Sequence, residues 1–281
     1  MSEKFRVSPL HLVPELWTLI LTGVLAYSIM KSNVEIEAIT IFPETASGVT
    51  LNALSFVLLM AGTATIMYVL VKRGLNKVVK LLIKLALVFA IFTLVSWYAE
   101  IYSNAIGLSI ELYQIPLASI LFTAALFYAT YRSRSVVQIL AITIIGALTG
   151  TFLGASIPTL TALVLVGGLA IYDVIAVFKG PIGRMAEKTE IEEFVGAVFT
   201  FRDLTVGLGD VVFYSMLASN AMVNFGLTSF MATSFGITLG TYVGFKMLES
   251  REMFPGLPFS LTLGLVFLFV SIYLQRIIPL F

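Results

Sequence analysis

The sequence predicts an all-α polytopic membrane protein of nine transmembrane helices, from its composition, the lengths of its apolar runs and the placement of its charges. Of its 281 residues, 59% are hydrophobic and 12% are charged, and the mean hydropathy is +1.01. A soluble core of this size cannot bury so much apolar surface. The apolar residues also form runs of about 17 to 25, the length that crosses a roughly 30 Å hydrocarbon core as a helix.

Nine such runs follow one another along the chain, at about 14–31, 51–71, 79–99, 107–130, 136–153, 159–178, 205–223, 227–247 and 256–275. The joins are short apart from 32–50 and 179–204. Since neither a soluble domain nor an internal repeat is evident, residues 1–281 are predicted to form a single membrane domain. The first run lacks a small-residue cleavage site and is expected to remain as a span.

The basic residues predict the orientation of these spans. With nine spans, only Lys31 and Arg276 of the 17 basic residues fall on one face, and all the others fall on the opposite face. Basic residues are retained on the cytoplasmic side of a membrane. The amino terminus is therefore expected inside, the carboxyl terminus outside, and the join 179–204 forms a cytoplasmic loop.

Small residues recur at every fourth position in two of the spans. They are Gly146, Gly150 and Gly154 in the fifth span and Gly236, Gly240 and Gly244 in the eighth. Small residues at this spacing let helix backbones approach closely. Close packing inside the bundle is the expected role of both sets, with no part in chemistry.

The residue inventory excludes several kinds of chemistry. The net charge of +1 favours no nucleic-acid partner, and the absence of Cys excludes thiol nucleophiles and thiolate metal sites. The single His, His11, precedes the first span and is expected to be solvated. Serine proteases of the Ser/His kind and zinc proteases of the His-Glu-x-x-His kind both need His near the reacting group. No metal or other cofactor is expected.

Two aspartates lie inside the apolar runs, Asp173 in the sixth and Asp210 in the seventh. An ionised carboxylate in hydrocarbon is costly, so an acid there indicates a functional site. Each acid lies five residues from the cytoplasmic end of its span, or about 7 to 8 Å inside the boundary. Antiparallel neighbouring spans would bring both acids to one level, although their lateral distance does not follow from the sequence.

Two carboxylates held close together in a low dielectric share one proton. The ionised member can activate water while the protonated member donates to a carbonyl oxygen, as in aspartic proteases, which are a standard example of this chemistry. A transporter or channel that moves protons or cations through the same acids is the alternative, and a scaffold in which the acids bond neighbouring helices is a third possibility.

Three further segments lie close to these acids in the predicted topology. Gly207 and Gly209 precede Asp210 and would let a substrate backbone approach closely. At the start of the ninth span, Pro255-Gly256-Leu257-Pro258 is expected to be extended and poor in amide donors, with its carbonyls free. The apolar segment 194–201 is too short to span. It either packs at the interface or on the bundle, or it gates the site or pairs with substrate.

Together these segments resemble a known family. Tyr172-Asp173, Gly207-Leu208-Gly209-Asp210 and Pro255-Gly256-Leu257-Pro258 are similar to the Tyr-Asp, Gly-x-Gly-Asp and Pro-Ala-Leu motifs of the presenilin and signal peptide peptidase family of intramembrane aspartyl proteases. The family also has nine spans, with these motifs in the sixth, seventh and ninth. The resemblance implies that Asp173 and Asp210 are catalytic and that the other motif residues position substrate.

The same resemblance implies which substrates the protein cleaves and which members of the family it is most like. Substrates would be single transmembrane helices in a lipid bilayer, with their amino termini outside. The inside amino terminus and Pro258 look presenilin-like, whereas Gly256 stands where the family has Ala and implies altered activity rather than loss. The compact chain resembles a microbial homologue that works without the accessory subunits of γ-secretase, and an oligomer is left open.

Overall fold

The structure, a computed structural model, describes residues 6–32, 34–106, 114–132, 136–180, 194–250 and 254–277. Within these residues, eight helices are long and apolar enough to cross a membrane. A 3₁₀ turn at Pro9–Leu12 precedes them, and the helices are α1 (Val13–Ser32), α2 (Ala46–Lys72), α3 (Asn76–Ile106), α4 (Gln114–Arg132), α5 (Val136–Ser156), α6 (Thr159–Phe178), α7 (Leu208–Leu248) and α8 (Leu257–Ile277).

The first six predicted spans each coincide with a helix. Most bounds differ by only a few residues, although α2 and α3 are longer than predicted. The beginning of the fourth predicted span, 107–113, and most of the predicted cytoplasmic loop, 181–193, lie outside the described residues. The helical membrane architecture is therefore confirmed over these spans.

Helix α7 contains 41 residues and covers both the seventh and the eighth predicted spans. Gly226 interrupts it with a non-helical backbone, φ 85° and ψ −177°. This conformation is open almost only to glycine, which has no Cβ to clash. The interruption divides α7 into a first arm, 208–225, and a second arm, 227–248, which are about 27 and 33 Å long.

A small β-hairpin precedes α7, so the description all-α needs one correction. β1 (Val198–Phe201) pairs with β2 (Leu204–Gly207) in an antiparallel register. The prediction that a helix begins at Thr205 is wrong, because residues 204–207 use their backbone groups in this pairing. The amide of Leu208 then donates to the Ala197 carbonyl at 2.8 Å, which joins the hairpin directly to the start of α7.

The segment before the hairpin packs on the helix bundle. Phe194 is buried, and the Tyr131 hydroxyl of α4 donates to the Val195 carbonyl at 3.1 Å. Gly196 has a positive φ of 95°, and a methyl group there would lie 2.5 Å from Leu87 of α3. Of the two alternatives for residues 194–201, packing on the bundle is confirmed for this first part.

The first arm of α7 packs on α5 through the predicted glycine stripe. A methyl group at Gly146 would lie 2.6 Å from Val211. A methyl group at Gly150 would overlap Ser215, one turn further along the first arm, and one at Gly154 would overlap the turn after that. Because both sets of contacts advance in the same direction, the two helices are parallel. The predicted packing role of these glycines is confirmed.

The second arm of α7 packs antiparallel to α8. Gly236 approaches the Leu263 backbone, where a methyl group would lie 2.5 Å from the carbonyl oxygen, and Gly240 packs against the Phe259 carbonyl. The prediction fails for Gly244, because a methyl group there would meet nothing within 4 Å. Gly244 instead lines a cavity beside the start of α7.

The amino-terminal end of α1 packs against α7 at the level of this cavity. The Val7 amide donates to Glu249 Oε1, just beyond the second arm, at 2.8 Å. His11 is only 6% exposed, and its Nδ1 lies 3.0 Å from the Ser8 amide. The prediction that His11 is solvated is wrong, because the turn before α1 folds back onto the end of α7.

Candidate active site

Asp210 lies in the first turn of α7 rather than in the middle of a helix. Gly207 is the N-cap residue, and Asp210 is the third residue of the helix. The Gly207 backbone amide interacts with the Asp210 carboxylate. The strand-to-helix junction thus fixes the backbone of Asp210, and the unpaired amides of the first helical turn favour a negative charge nearby.

Asp173 lies in the last turns of α6, on the face that packs against α8. Its side chain is buried at 9% exposure, and the Leu257 amide donates to its Oδ2 at 3.0 Å. The neighbouring Tyr172 is partly buried, and its hydroxyl has no hydrogen-bond partner among the described residues. The first turn of α8 is therefore the element that fixes the Asp173 carboxylate.

The backbone at Gly256 and Leu257 joins the two acids. Leu257 donates to Asp173, whereas the Asp210 carboxylate lies directly against Gly256. A methyl group on Gly256 would be 2.9 Å from Asp210 Oδ2 and 3.2 Å from its Cγ. The structure therefore brings both predicted acids to adjoining residues at the start of α8.

A polar network holds the Gly256 carbonyl from the other side. The Tyr214 hydroxyl donates to Gly256 O at 3.0 Å, and Ser260 Oγ lies 3.0 Å from the same oxygen and 3.1 Å from Tyr214 Oη. Ser260 Oγ is also 2.8 Å from Thr241 Oγ1 of the second arm. The expectation of free carbonyls and few amide donors is wrong at this position, because Gly256 O is bonded and Leu257 N–H is a donor in use.

The remaining motif residues show different degrees of packing. Leu208 begins α7 and bonds to the hairpin, and Pro255 is buried. Pro258 occupies the second position of α8, where its missing amide costs nothing. Methyl groups at Gly207 and Gly209 would meet their nearest atoms at 3.7 and 3.9 Å. Neither glycine is required by packing inside the chain, so their proposed role toward a substrate stays a prediction.

A cavity of about 60 Å³ opens beside Asp210, between the start of α1, the hairpin and the second arm of α7. Its walls include Phe199, Val206 and Phe254. Its polar lining consists of His11, Glu15, Thr205, Asp210, Tyr214 and Thr241. Asp210 therefore contacts Gly256 on one side and lines this polar cavity on another.

The sequence contained signals for two residues of this lining that were missed. Tyr214 follows Asp210 by four positions and so shares its helix face. Glu15 is an acid within the first apolar run, the same signal that identified Asp173. It was overlooked because it lies next to the start of that run, where an acid is commonly solvated. Thr241 and Ser260 gave no signal, since hydroxyl residues are frequent in membrane helices.

Comparisons with known proteins identify similar sequences for part of the chain. Residues 186–278 match the family model described as Presenilin. Presenilin-B of Dictyostelium discoideum is 30% identical over 125 residues, which cover 41% of this chain and 26% of that protein. Residues 186–278, about a third of the chain, therefore resemble the presenilin family. The chain spans about a quarter of the length of the curated relative that it matches.

Solved structures match the fold over nearly the whole chain. Two crystal forms, C222 and P2, of a presenilin family intramembrane aspartate protease each superpose with a TM-score of 0.65 at 19% identity. They cover 94% of this chain and 99% and 97% of the respective solved chains. The matched family region includes Asp210 and the Pro255–Pro258 motif, whereas Asp173 lies before it.

Proposed function

We propose that this protein is a presenilin-family intramembrane aspartic endopeptidase with Asp173 and Asp210 as its catalytic pair. The observation that carries the proposal is the contact of both acids with adjoining residues, Asp173 with the Leu257 amide and Asp210 with Gly256. Two acids from different helices that meet on one short backbone segment can act on one peptide bond.

The chemistry follows from the pair holding one proton. The ionised carboxylate removes a proton from water as the water attacks the scissile carbonyl, and the protonated carboxyl donates to the carbonyl oxygen. The base and acid are not assigned to individual residues, because the proton belongs to the pair. The buried Leu257 amide fixes one carboxylate and the α7 N-terminus fixes the other, which orients both without further groups.

The proposed substrates are single transmembrane helices with their amino termini outside. A helical peptide bond is shielded by its own hydrogen bonds, so the substrate must unwind locally and replace them. Among the described residues the sheet consists of β1 and β2, and the outer edge of β2 has no partner strand and can accept another extended chain. We propose that the unwound substrate pairs with this edge, beside Gly207 and Leu257, and that Gly207 and Gly209 leave room for its backbone.

The proposed topology has nine crossings, with α7 contributing one crossing per arm. Each arm is long enough to cross on its own. The amino terminus lies at the same end of the bundle as the end of the second arm, through the bond between Val7 and Glu249. The distribution of basic residues supports a cytoplasmic position for this end and for the catalytic pair near it. The carboxyl terminus is then outside.

The proposed enzyme acts within a lipid bilayer, with neither nucleic acid nor a cofactor, and without accessory subunits. The family motifs occur within this one chain, which supports activity of the isolated protein. An oligomer remains compatible with this proposal. Self-cleavage within the cytoplasmic loop is not part of it, and residues 181–193 of that loop lie outside the described residues.

The test is cleavage of a purified transmembrane substrate in liposomes by wild type, Asp173→Asn and Asp210→Asn. Each Asn variant is expected to lose cleavage, by at least about a hundredfold, while its melting temperature and elution volume stay close to those of wild type. Glu37→Gln, an exposed acid far from the pair, is the control and should cleave normally. Folded wild type that cuts nothing but passes an acid-dependent current would replace the protease with a transporter or channel.

A further inference from the structure

Glu15 is a buried acid for which the aspartate pair has no use. It lies in the first turn of α1 and is 6% exposed. Neither Oε1 nor Oε2 has a hydrogen-bond partner among the described residues, although Thr241 of the second arm lies nearby. A buried carboxyl without partners costs free energy, and an apolar side chain of similar size would fill the same space without that cost. Packing alone therefore does not account for an acid at this position.

The position of Glu15 gives the acid a partner across the cavity. Glu15 and Asp210 line the same cavity of about 60 Å³. Asp210 also lies against Gly256, and the next residue, Leu257, donates its amide to Asp173. The three acids thus form a row from α1 through α7 to α6, with Asp210 in the middle.

The cavity itself suits the passage of a proton. Its volume is enough for about four water molecules, since each needs roughly 10 to 15 Å³. Gly244 leaves it open, because a side chain there would project into unoccupied space between the helices. Water in this space would find polar partners on Glu15, Asp210 and His11.

Among the described residues, few other ionisable groups face Glu15. Asp210 and Tyr214 face it from α7, and His11 faces the cavity from the turn before α1. The cavity residues of the hairpin and of the second arm are not ionisable. Helix α5, which also packs on α1, carries no acidic or basic residue. Asp210 is therefore the acid that shares this cavity with Glu15.

We propose that Glu15 is a third acid of the active site, a positioning residue that exchanges a proton with Asp210 across the cavity. In this exchange an O–H bond breaks at the Glu15 carboxyl and one forms at the Asp210 carboxylate, with water between them. The total charge does not change. Glu15 thereby keeps the catalytic pair in its one-proton state as substrate enters and products leave. The inference rests on the proposed protease function and concerns the same site.

The experiment measures kcat and KM for a transmembrane substrate from pH 5 to 9, with wild type, Glu15→Gln, Glu15→Asp and Glu37→Gln. Gln keeps the size of Glu but can neither exchange the proton nor carry the charge. For Glu15→Gln, we expect kcat to fall about tenfold at alkaline pH, KM to stay within about twofold, and the alkaline limb of the pH profile to move about one unit lower. Glu15→Asp should restore most of the wild-type profile, and Glu37→Gln should superpose on it.

A second measurement does not depend on activity. The infrared carboxyl bands that Glu15→Gln removes should change when Asp210 is replaced by Asn, provided that both variants keep the wild-type melting temperature. Folded Glu15→Gln with an unchanged pH profile would overturn the proposal, as would Glu15→Asp that behaves like Glu15→Gln. Either result would refute only the role of Glu15, provided that wild type cleaves the substrate and Asp210→Asn does not. The proposed protease function would still stand. Wild type without cleavage would instead refute the protease function.

Discussion

Replacing Gly256 by Ala places one methyl group against the Asp210 carboxylate. The added carbon would lie 2.9 Å from Oδ2 and 3.2 Å from Cγ, whereas ordinary contacts begin at 3.4 Å. Either the Gly256 backbone or the Asp210 carboxylate must therefore move by about half an ångström. The backbone of Gly256 is the less free of the two groups, because Tyr214 holds its carbonyl at 3.0 Å and the following amide, of Leu257, is bonded to Asp173. The Asp210 carboxylate is the group that yields.

The expected result is a loss of rate with little loss of stability. A displacement of about 1 Å in a catalytic group can cost a hundredfold, so half that distance predicts a fall of about tenfold in kcat, or about 1.4 kcal/mol of transition-state stabilisation. The melting temperature should stay within a few degrees of wild type.

The assay is cleavage of a transmembrane substrate with kcat and KM measured separately. Gly62→Ala is the matched control, because a methyl group there meets nothing within 4 Å. Gly256→Ala with wild-type kcat and an unchanged pH profile would show that the Asp210 carboxylate is not held against Gly256 in the working enzyme. The proposed meeting of both acids at the start of α8 would then be wrong.

Three further substitutions test separate parts of the structure. Tyr214→Phe removes the hydrogen bond from Tyr214 to the partly buried Gly256 carbonyl, and we expect the free energy of unfolding to fall by about 1 to 3 kcal/mol and cleavage to become slower. An unchanged melting temperature would contradict the first expectation. In Gly226→Ala, the alanine must adopt φ 85°, so the free energy of unfolding should fall by about 1 to 3 kcal/mol. A variant that unfolds at the wild-type temperature would show that the helix straightens without cost and that position 226 is not strained. Hydrogen bonds from Lys246 and from the Val7 amide lower the pKa of Glu249 from its ordinary value of 4.5. The stability that this group contributes is present above the unfolded pKa and is lost as the pH falls through the lower folded value. Glu249→Gln, or acid below pH 4.5, should therefore release the amino-terminal segment to proteases, and equal protection in wild type and variant near neutrality would contradict the contact.

The helices were predictable because run length and composition are local properties. Asp173 and Asp210 were recognised for the same reason, since an acid in an apolar run is visible without a structure. Their meeting was not predictable, because it depends on how α6, α7 and α8 pack laterally. The residue that joins them, Leu257, contributes a backbone amide, and the identity of a side chain says little about such a contact.

The hairpin shows a second limit of sequence reasoning. Residues 204–207 are apolar and continue directly into a helix, so hydropathy assigns them to the span. Only the pairing with residues 198–201 makes them a strand. Gly244 illustrates a third limit, because its spacing matches that of the packed glycines although its neighbours leave it open. Periodicity predicts the face of a helix but not what lies opposite each position.

The direct join between β2 and α7 has a consequence for substrate choice. A chain that pairs with the hairpin edge acts on the same continuous backbone that carries Asp210, three residues beyond the strand. Binding of the substrate strand to the hairpin would therefore also align its peptide bond with Asp210. The rate of cleavage would then depend on how readily the substrate helix unwinds. Transmembrane segments whose helix is destabilised by Gly or by β-branched residues should be cleaved fastest. Poly-Leu segments of equal length, which form stable helices, should be cleaved slowly, whatever side chains flank the scissile bond.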